Sequence, residues 1–165
     1  MVDIQTTGIL IAAASVVVTA IIMTWQNIEA RRMRKAQLFM PIYSLFYDED
    51  FLKPYHDILH NWEWKDAEDW RKKYGHKTNL DAAGQFSSVI NYFRCVGSLL
   101  QRNQIEPELV SDLMQGNVIM FWEKIEPFIN ELRISYPDMT WQNPFEYLYH
   151  EMKRMEQKIQ PNSNR

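Results

Sequence analysis

The chain has 165 residues, a net charge of -3 and a single cysteine, Cys95. These numbers exclude an intramolecular disulfide framework and a Cys/His zinc pattern, and the mild acidity argues against a nucleic-acid partner. Five glycines stand against six tryptophans, eight tyrosines and eight phenylalanines. Few tight turns and many bulky packing residues, without strand-like alternation, predict an all-α fold.

The N-terminal segment has the composition of a membrane anchor. No charged side chain lies between Ile4 and Ile28, and this run supplies the about 20 helical residues that cross a hydrocarbon core. Asp3 precedes the run and the positive charges follow it, which is the reverse of a secretory signal peptide. The sequence therefore predicts a transmembrane anchor over residues 1–28; the alternative is a buried helix of a soluble domain.

The residues that follow the anchor predict its orientation. Trp25 falls where an aromatic belt meets the lipid headgroups. Four positive charges come next and are called the basic collar: Arg31, Arg32, Arg34 and Lys35. The positive-inside rule predicts a single-pass protein of the cell membrane with its N-terminus outside and its C-terminal domain in the cytoplasm. Because clustered positive charge attracts anionic headgroups, membrane lipid is an expected partner.

One face of the anchor carries small side chains at spacings of four, three and four: Gly8, Ala12, Ser15 and Thr19. Such a stripe lets another helix approach closely. It predicts lateral packing against a membrane partner or a second copy of the chain. The alternative is that an alanine-rich segment produces the stripe by chance.

Residues 29–47 predict a basic juxtamembrane amphipathic helix that continues the anchor. Pro41 lacks the N–H that would bond the carbonyl of Gln37, so a kink or a break is expected near Met40. Residues 48–160 predict a cytoplasmic helical bundle, and residues 161–165 a disordered tail.

The first half of the bundle divides at local start and stop signals. Asp48 and the acidic residues after it predict the start of a helix that carries apolar side chains as far as Trp62. A shorter helix is expected from Trp64 to Tyr74, ending at Gly75. Asn79 then predicts the cap of a long core helix with one apolar side: Leu80, Ala83, Phe86, Ile90, Phe93, Gly97 and Leu100.

The second half predicts three more helices. Pro107 suits the first position of a short helix through Leu113, which Gly116 is expected to stop. Val118–Ile134 predicts a separate helix. The last helix begins with a sequence that resembles a capping box: Asn143, Pro144 and Glu146.

The order of these segments resembles a known family. After the charge-free span come "EARRMRKAQLFMPIYSLFYDEDF", "NYFRCVGSLLQRNQIEPELVSDLM", "FWEKIEPFINELR" and "FEYLYHEMKR". Together they are similar to an uncharacterised prokaryotic family of small, membrane-anchored helical proteins described as a domain of unknown function. The resemblance implies the same anchored helical architecture, and no catalytic residue comes with it.

The one stretch that suggests a metal site is "HDILHNWE". His56 and His60 lie one helical turn apart and Glu63 would continue the same face, as in zinc hydrolases, with Asp57 where those enzymes place a glutamate base. The alternative is the polar flank of an amphipathic helix. We expect Cys95 to be a buried packing residue, and the acidic residues of the Val118–Ile134 helix to be solvated.

The sequence thus predicts a protein that is not an enzyme and holds no cofactor. Its expected role is that of an accessory or regulatory subunit, which binds a membrane protein complex through the anchor and the helical domain. Two alternatives are a self-associating structural membrane protein, and a membrane-tethered zinc hydrolase that uses His56 and His60.

Overall fold

A computed structural model describes residues 3–136 and 143–159, without the side chains at positions 4–7 and 159. These residues form six α-helices and no strand, so the predicted all-α fold is confirmed. The helices are α1 (Ile4–Phe46), α2 (Glu49–His60), α3 (Ala67–Tyr74), α4 (Leu80–Gln101), α5 (Pro107–Ser135) and α6 (Asn143–Ile159). The tail predicted at 161–165 lies outside the described residues.

The chain divides into two compact units, Met1–Gln37 and Leu38–Arg165. The first unit consists of the N-terminal part of α1. The second unit contains the end of α1 and the other five helices, and α4 and α6 form its most extensive helix pair. Residues 38–46 therefore pack with the bundle, which buries Phe39 and Phe46 completely or almost so.

The core of the second unit is rich in aromatic side chains. Phe46 contacts the rings of Phe51, Tyr55, Tyr92 and Phe93 at centroid distances of 5.3 to 6.2 Å. Other fully buried side chains come from α2, α5 and α6, among them Ile58, Phe121, Trp122, Ile125, Phe145 and Leu148. This packing explains the heavy aromatic content of the sequence.

Two helix starts follow the predicted chemistry. The carboxylate of Asp48 accepts from the backbone N–H of Asp50 at 2.9 Å, and the side chain of Asn79 accepts from Ala82 at 3.1 Å. Both side chains satisfy a donor that the first turn of a helix leaves unpaired. The predicted caps of α2 and α4 are confirmed.

Three predicted helix ends are wrong. The helix does not stop at Gly116, because α5 is continuous from Pro107 to Ser135 and passes through that exposed glycine. Trp62 lies beyond the end of α2, where its indole donates to a side chain of the preceding turn. The short third helix begins at Ala67 instead of Trp64 because Asp66 supplies its cap.

The expected interruption at Pro41 is not a break in the helix. α1 continues through Pro41 to Phe46. Pro41 and Gln37 are both exposed, so solvent can satisfy the carbonyl that loses its backbone donor. The hydroxyl of Ser44 also donates to the carbonyl of Pro41 at 2.7 Å, which satisfies a neighbouring acceptor.

The predicted apolar side of α4 is correct except at its first residue. Ala83, Phe86, Ile90, Phe93, Gly97 and Leu100 are all buried, as expected. Leu80, the first residue of α4, is 74% exposed, although Ala82 in the same turn is buried.

Candidate functional site

The N-terminal unit presents apolar surface on every side of α1. Each side chain from Gly8 to Arg34 is exposed, including the large apolar ones at Ile9, Val16 and Ile21. The helix is long and apolar enough to cross a membrane. Its uncharged part, Ile4 to Ile28, is about 37 Å long at about 1.5 Å per residue, which exceeds a hydrocarbon core of about 30 Å.

Three hydroxyl side chains within this apolar surface are satisfied by their own helix. Ser15 donates to the carbonyl of Ile11, Thr19 to that of Ser15 and Thr24 to that of Ala20, each at 2.8 Å. A hydroxyl bonded in this way needs no water. These residues are therefore compatible with a surrounding of hydrocarbon.

The predicted interface and packing residues lie on α1, and all except Lys35 are exposed. Trp25 and the three arginines of the basic collar are exposed, and Lys35 is half-buried. The small-residue stripe of Gly8, Ala12, Ser15 and Thr19 is also exposed, and a Cβ added at Gly8 would meet no atom within 4 Å. Packing of another helix on this stripe stays a prediction.

The structure brings together His56 and His60 but not Glu63. Both histidines are exposed on α2, with their rings nearly parallel and their centroids 5.8 Å apart. Glu63 follows the C-cap residue Asn61 and is outside the helix, so it does not continue their face. In the part of the chain that the structure describes, no group of three or more His, Cys, Asp or Glu side chains is placed to hold a metal ion.

Asp57 lies at the position where zinc hydrolases place a general base, but its carboxylate binds the residues that follow the end of α2. Its Oδ1 accepts from Asn61 and its Oδ2 from the indole of Trp62, each at 2.8 Å. These two hydrogen bonds hold the pKa of Asp57 below its usual value. The pKa of a general base is usually tuned upward instead. The geometry therefore indicates a structural role for this carboxylate.

An open cavity of about 670 Å³ adjoins the two histidines. Most of the residues that line it belong to α2 or follow it directly, and Gln85 of α4 lines the opposite side. The lining residues are Asp50, Lys53, Pro54, His56, Asp57, His60, Asn61 and Gln85. All of these side chains except that of Pro54 carry a polar or charged group.

Sequence reasoning missed two polar contacts that fix the segment between α2 and α3. Glu131 was expected to be solvated, but its Oε2 accepts from the backbone N–H of Ala67 at 2.7 Å. Lys124 donates to the carbonyl of Trp62 at 2.8 Å, and its ammonium lies 5.1 Å from the ring centroid of Trp64. The periodicity of α5 gives no sign of these contacts because their partners lie 60 or more residues away.

The expectation for Cys95 is wrong, because its side chain is exposed. Two nearby apolar residues of α4, Phe93 and Val96, are buried against the bundle. The side chain of Cys95 instead lies on the solvent-facing side of the helix. An apolar neighbourhood in sequence therefore did not predict burial at this position.

A family model described as a domain of unknown function (DUF4760) matches residues 9–152. This match extends from the apolar part of α1 into α6 and so covers residues of both units. The comparisons with curated proteins and with solved structures gave no match.

Proposed function

The chain belongs to the DUF4760 family, whose function is unknown, and we propose that it is a single-pass membrane protein that acts as an accessory or regulatory subunit. Its N-terminus lies outside the cell and its helical domain lies in the cytoplasm. The domain and the anchor both bind a membrane protein complex. The protein itself carries out no reaction.

One observation supports this proposal most strongly: within the described residues, every side chain of α1 from Gly8 to Ile28 is exposed, and this segment is long and apolar enough to cross a membrane. Exposed apolar surface is unfavourable in water by about 25 cal/mol per Å². A lipid bilayer removes that penalty along the whole length of the segment. The basic collar favours the orientation with the second unit in the cytoplasm.

Exposed apolar side chains on the second unit support a protein partner. Ile134 is 82% exposed near the end of α5, and Tyr136 follows it. Tyr136 lines a cavity of about 490 Å³ together with the loop from Gly75 to Thr78. Exposed tyrosine side chains are enriched at protein-binding surfaces, where the ring packs and the hydroxyl stays polar.

The test is affinity purification of the full chain from its native host in mild detergent, followed by mass spectrometry. The proposal expects a second membrane protein in the eluate of the wild type, which is lost from an Ile134→Glu variant. Met120→Glu is the matched control, because Met120 is also exposed on α5 and precedes Ile134 by 14 residues. A wild type that elutes alone and monomeric would contradict the subunit role.

Two further outcomes would replace parts of the proposal. If the eluate holds only copies of this chain, and Ala12→Leu abolishes their association, the protein is self-associating. If a tag at the C-terminus reacts with an impermeant antibody on intact cells, the orientation is the reverse of the one proposed.

A further inference from the structure

His56 and His60 have the arrangement of a metal-binding pair on a helix. They lie four residues apart in α2, so their Cα–Cβ bonds leave the helix on one face in consecutive turns. Their rings are stacked with an interplanar angle of 11° and centroids 5.8 Å apart. Both side chains are exposed, so they can turn toward a common point without disturbing the core.

The chemistry of the pair selects a class of ion. Imidazole nitrogens bind zinc at about 2.0–2.1 Å, so two of them must come within about 4 Å of each other. Histidines with this spacing on zinc-enzyme helices reach that geometry by side-chain rotation. Imidazole favours Zn²⁺, Cu²⁺ and Ni²⁺ over Mg²⁺ and Ca²⁺, which prefer oxygen ligands.

The surroundings of the pair admit a hydrated cation. The cavity of about 670 Å³ beside the rings is open, so water can complete the coordination of a bound ion. Its charged lining consists of two acidic residues, Asp50 and Asp57, and one basic residue, Lys53. The local balance of charge therefore favours a cation.

We infer that His56 and His60 form a two-histidine chelate for a divalent transition-metal ion of the Zn²⁺ type on the exposed face of α2. Two protein ligands make a weaker and more exchangeable site than the three or four of enzymes and zinc fingers. The site therefore fills and empties with the concentration of free metal. Because only the helical spacing brings the rings together, bound metal stabilises the folded bundle.

This inference does not depend on the membrane role, and its test uses different measurements. The full chain is purified in detergent micelles without a polyhistidine tag, treated with EDTA and titrated with ZnCl₂ in a calorimeter. Thermal unfolding, followed by tryptophan fluorescence, is measured with and without Zn²⁺. We expect saturable binding of one Zn²⁺ per chain and a Tm that rises with the Zn²⁺ concentration, whereas MgCl₂ produces neither effect.

The variants His56→Ala and His60→Ala should each weaken Zn²⁺ binding by about tenfold or more, because each removes one of two protein ligands. Each should also abolish the rise in Tm while leaving the circular dichroism of the metal-free protein unchanged. His150→Ala is the matched control, since His150 is exposed on α6, and it should bind Zn²⁺ like the wild type. Binding that survives in both α2 variants, or that His150→Ala removes, would overturn the site.

Discussion

Gly97 provides a sharp test of how the bundle is packed. It lies near the C-terminal end of α4, and a Cβ built on it would overlap the carbonyl oxygen of Pro144 and lie 2.6 Å from the carbonyl carbon. The Cβ of Leu148 would be 3.3 Å away. The missing side chain thus allows the backbone in the first turn of α6 to approach α4 directly. The variant Gly97→Ala should force these two helices apart.

The expected magnitude follows from two opposing effects. Alanine is about 1 kcal/mol more favourable than glycine inside a helix. Forcing extra atoms into a packed core typically costs 1–3 kcal/mol, and the upper value of about 3 kcal/mol applies because the overlapping group is backbone and cannot rotate away. The net loss in the free energy of unfolding is about 2 kcal/mol. In a domain of this size that corresponds to a fall in Tm of about 8 °C.

Gly84 offers a matched control in the same helix. A Cβ at Gly84 would meet nothing within 4 Å, so Gly84→Ala should raise the free energy of unfolding by up to about 1 kcal/mol. The two variants are compared by urea unfolding of the full chain in detergent, with tryptophan fluorescence as the signal. Equal stability changes in both variants would refute the close approach of α4 and α6.

Three more predictions concern the second unit. Phe46→Ala should lower the free energy of unfolding by about 3–5 kcal/mol in urea titrations, because Phe46 is almost fully buried among aromatic rings. Arg133→Ala should lower it by about 1 kcal/mol, since Glu146 loses a bidentate partner on α5 but stays accessible to water, and 1 M NaCl should reproduce part of that loss. The pKa of Asp57 is lowered by folding, so its contribution is present above its ordinary value of 3.8 and lost as the pH falls below it; Asp57→Asn should flatten that acid loss in urea titrations.

Features set by neighbouring residues could be predicted from the sequence. Asp48 and Asn79 cap their helices because the acceptor and the N–H groups that it satisfies lie within three residues of each other. The apolar run of α1 was also visible, because its composition does not depend on any distant contact. Local chemistry therefore predicted the fold class and the long exposed helix.

Features decided by distant contacts could not be predicted in this way. Glycine is common just after the end of a helix, so Gly116 was predicted to stop one. The residues that follow it, Val118 and Phe121, are buried in the bundle, and α5 is continuous. Glu131 accepts a hydrogen bond from the first residue of α3, although it lies on a helix that begins 40 residues after Ala67. At the candidate metal site the spacing of His56 and His60 was readable, whereas the end of α2 that removes Glu63 from their face was not.

The exposure of Cys95 gives the protein a native chemical handle. It is the only cysteine in the sequence, so a maleimide reagent modifies the chain at one defined position on α4 without any engineered mutation. In a reducing cytoplasm this thiol stays free. In an oxidising compartment, an accessible unpaired thiol would join two copies through an intermolecular disulfide. The redox state of this one side chain would thus report whether the compartment around the helical domain is reducing or oxidising.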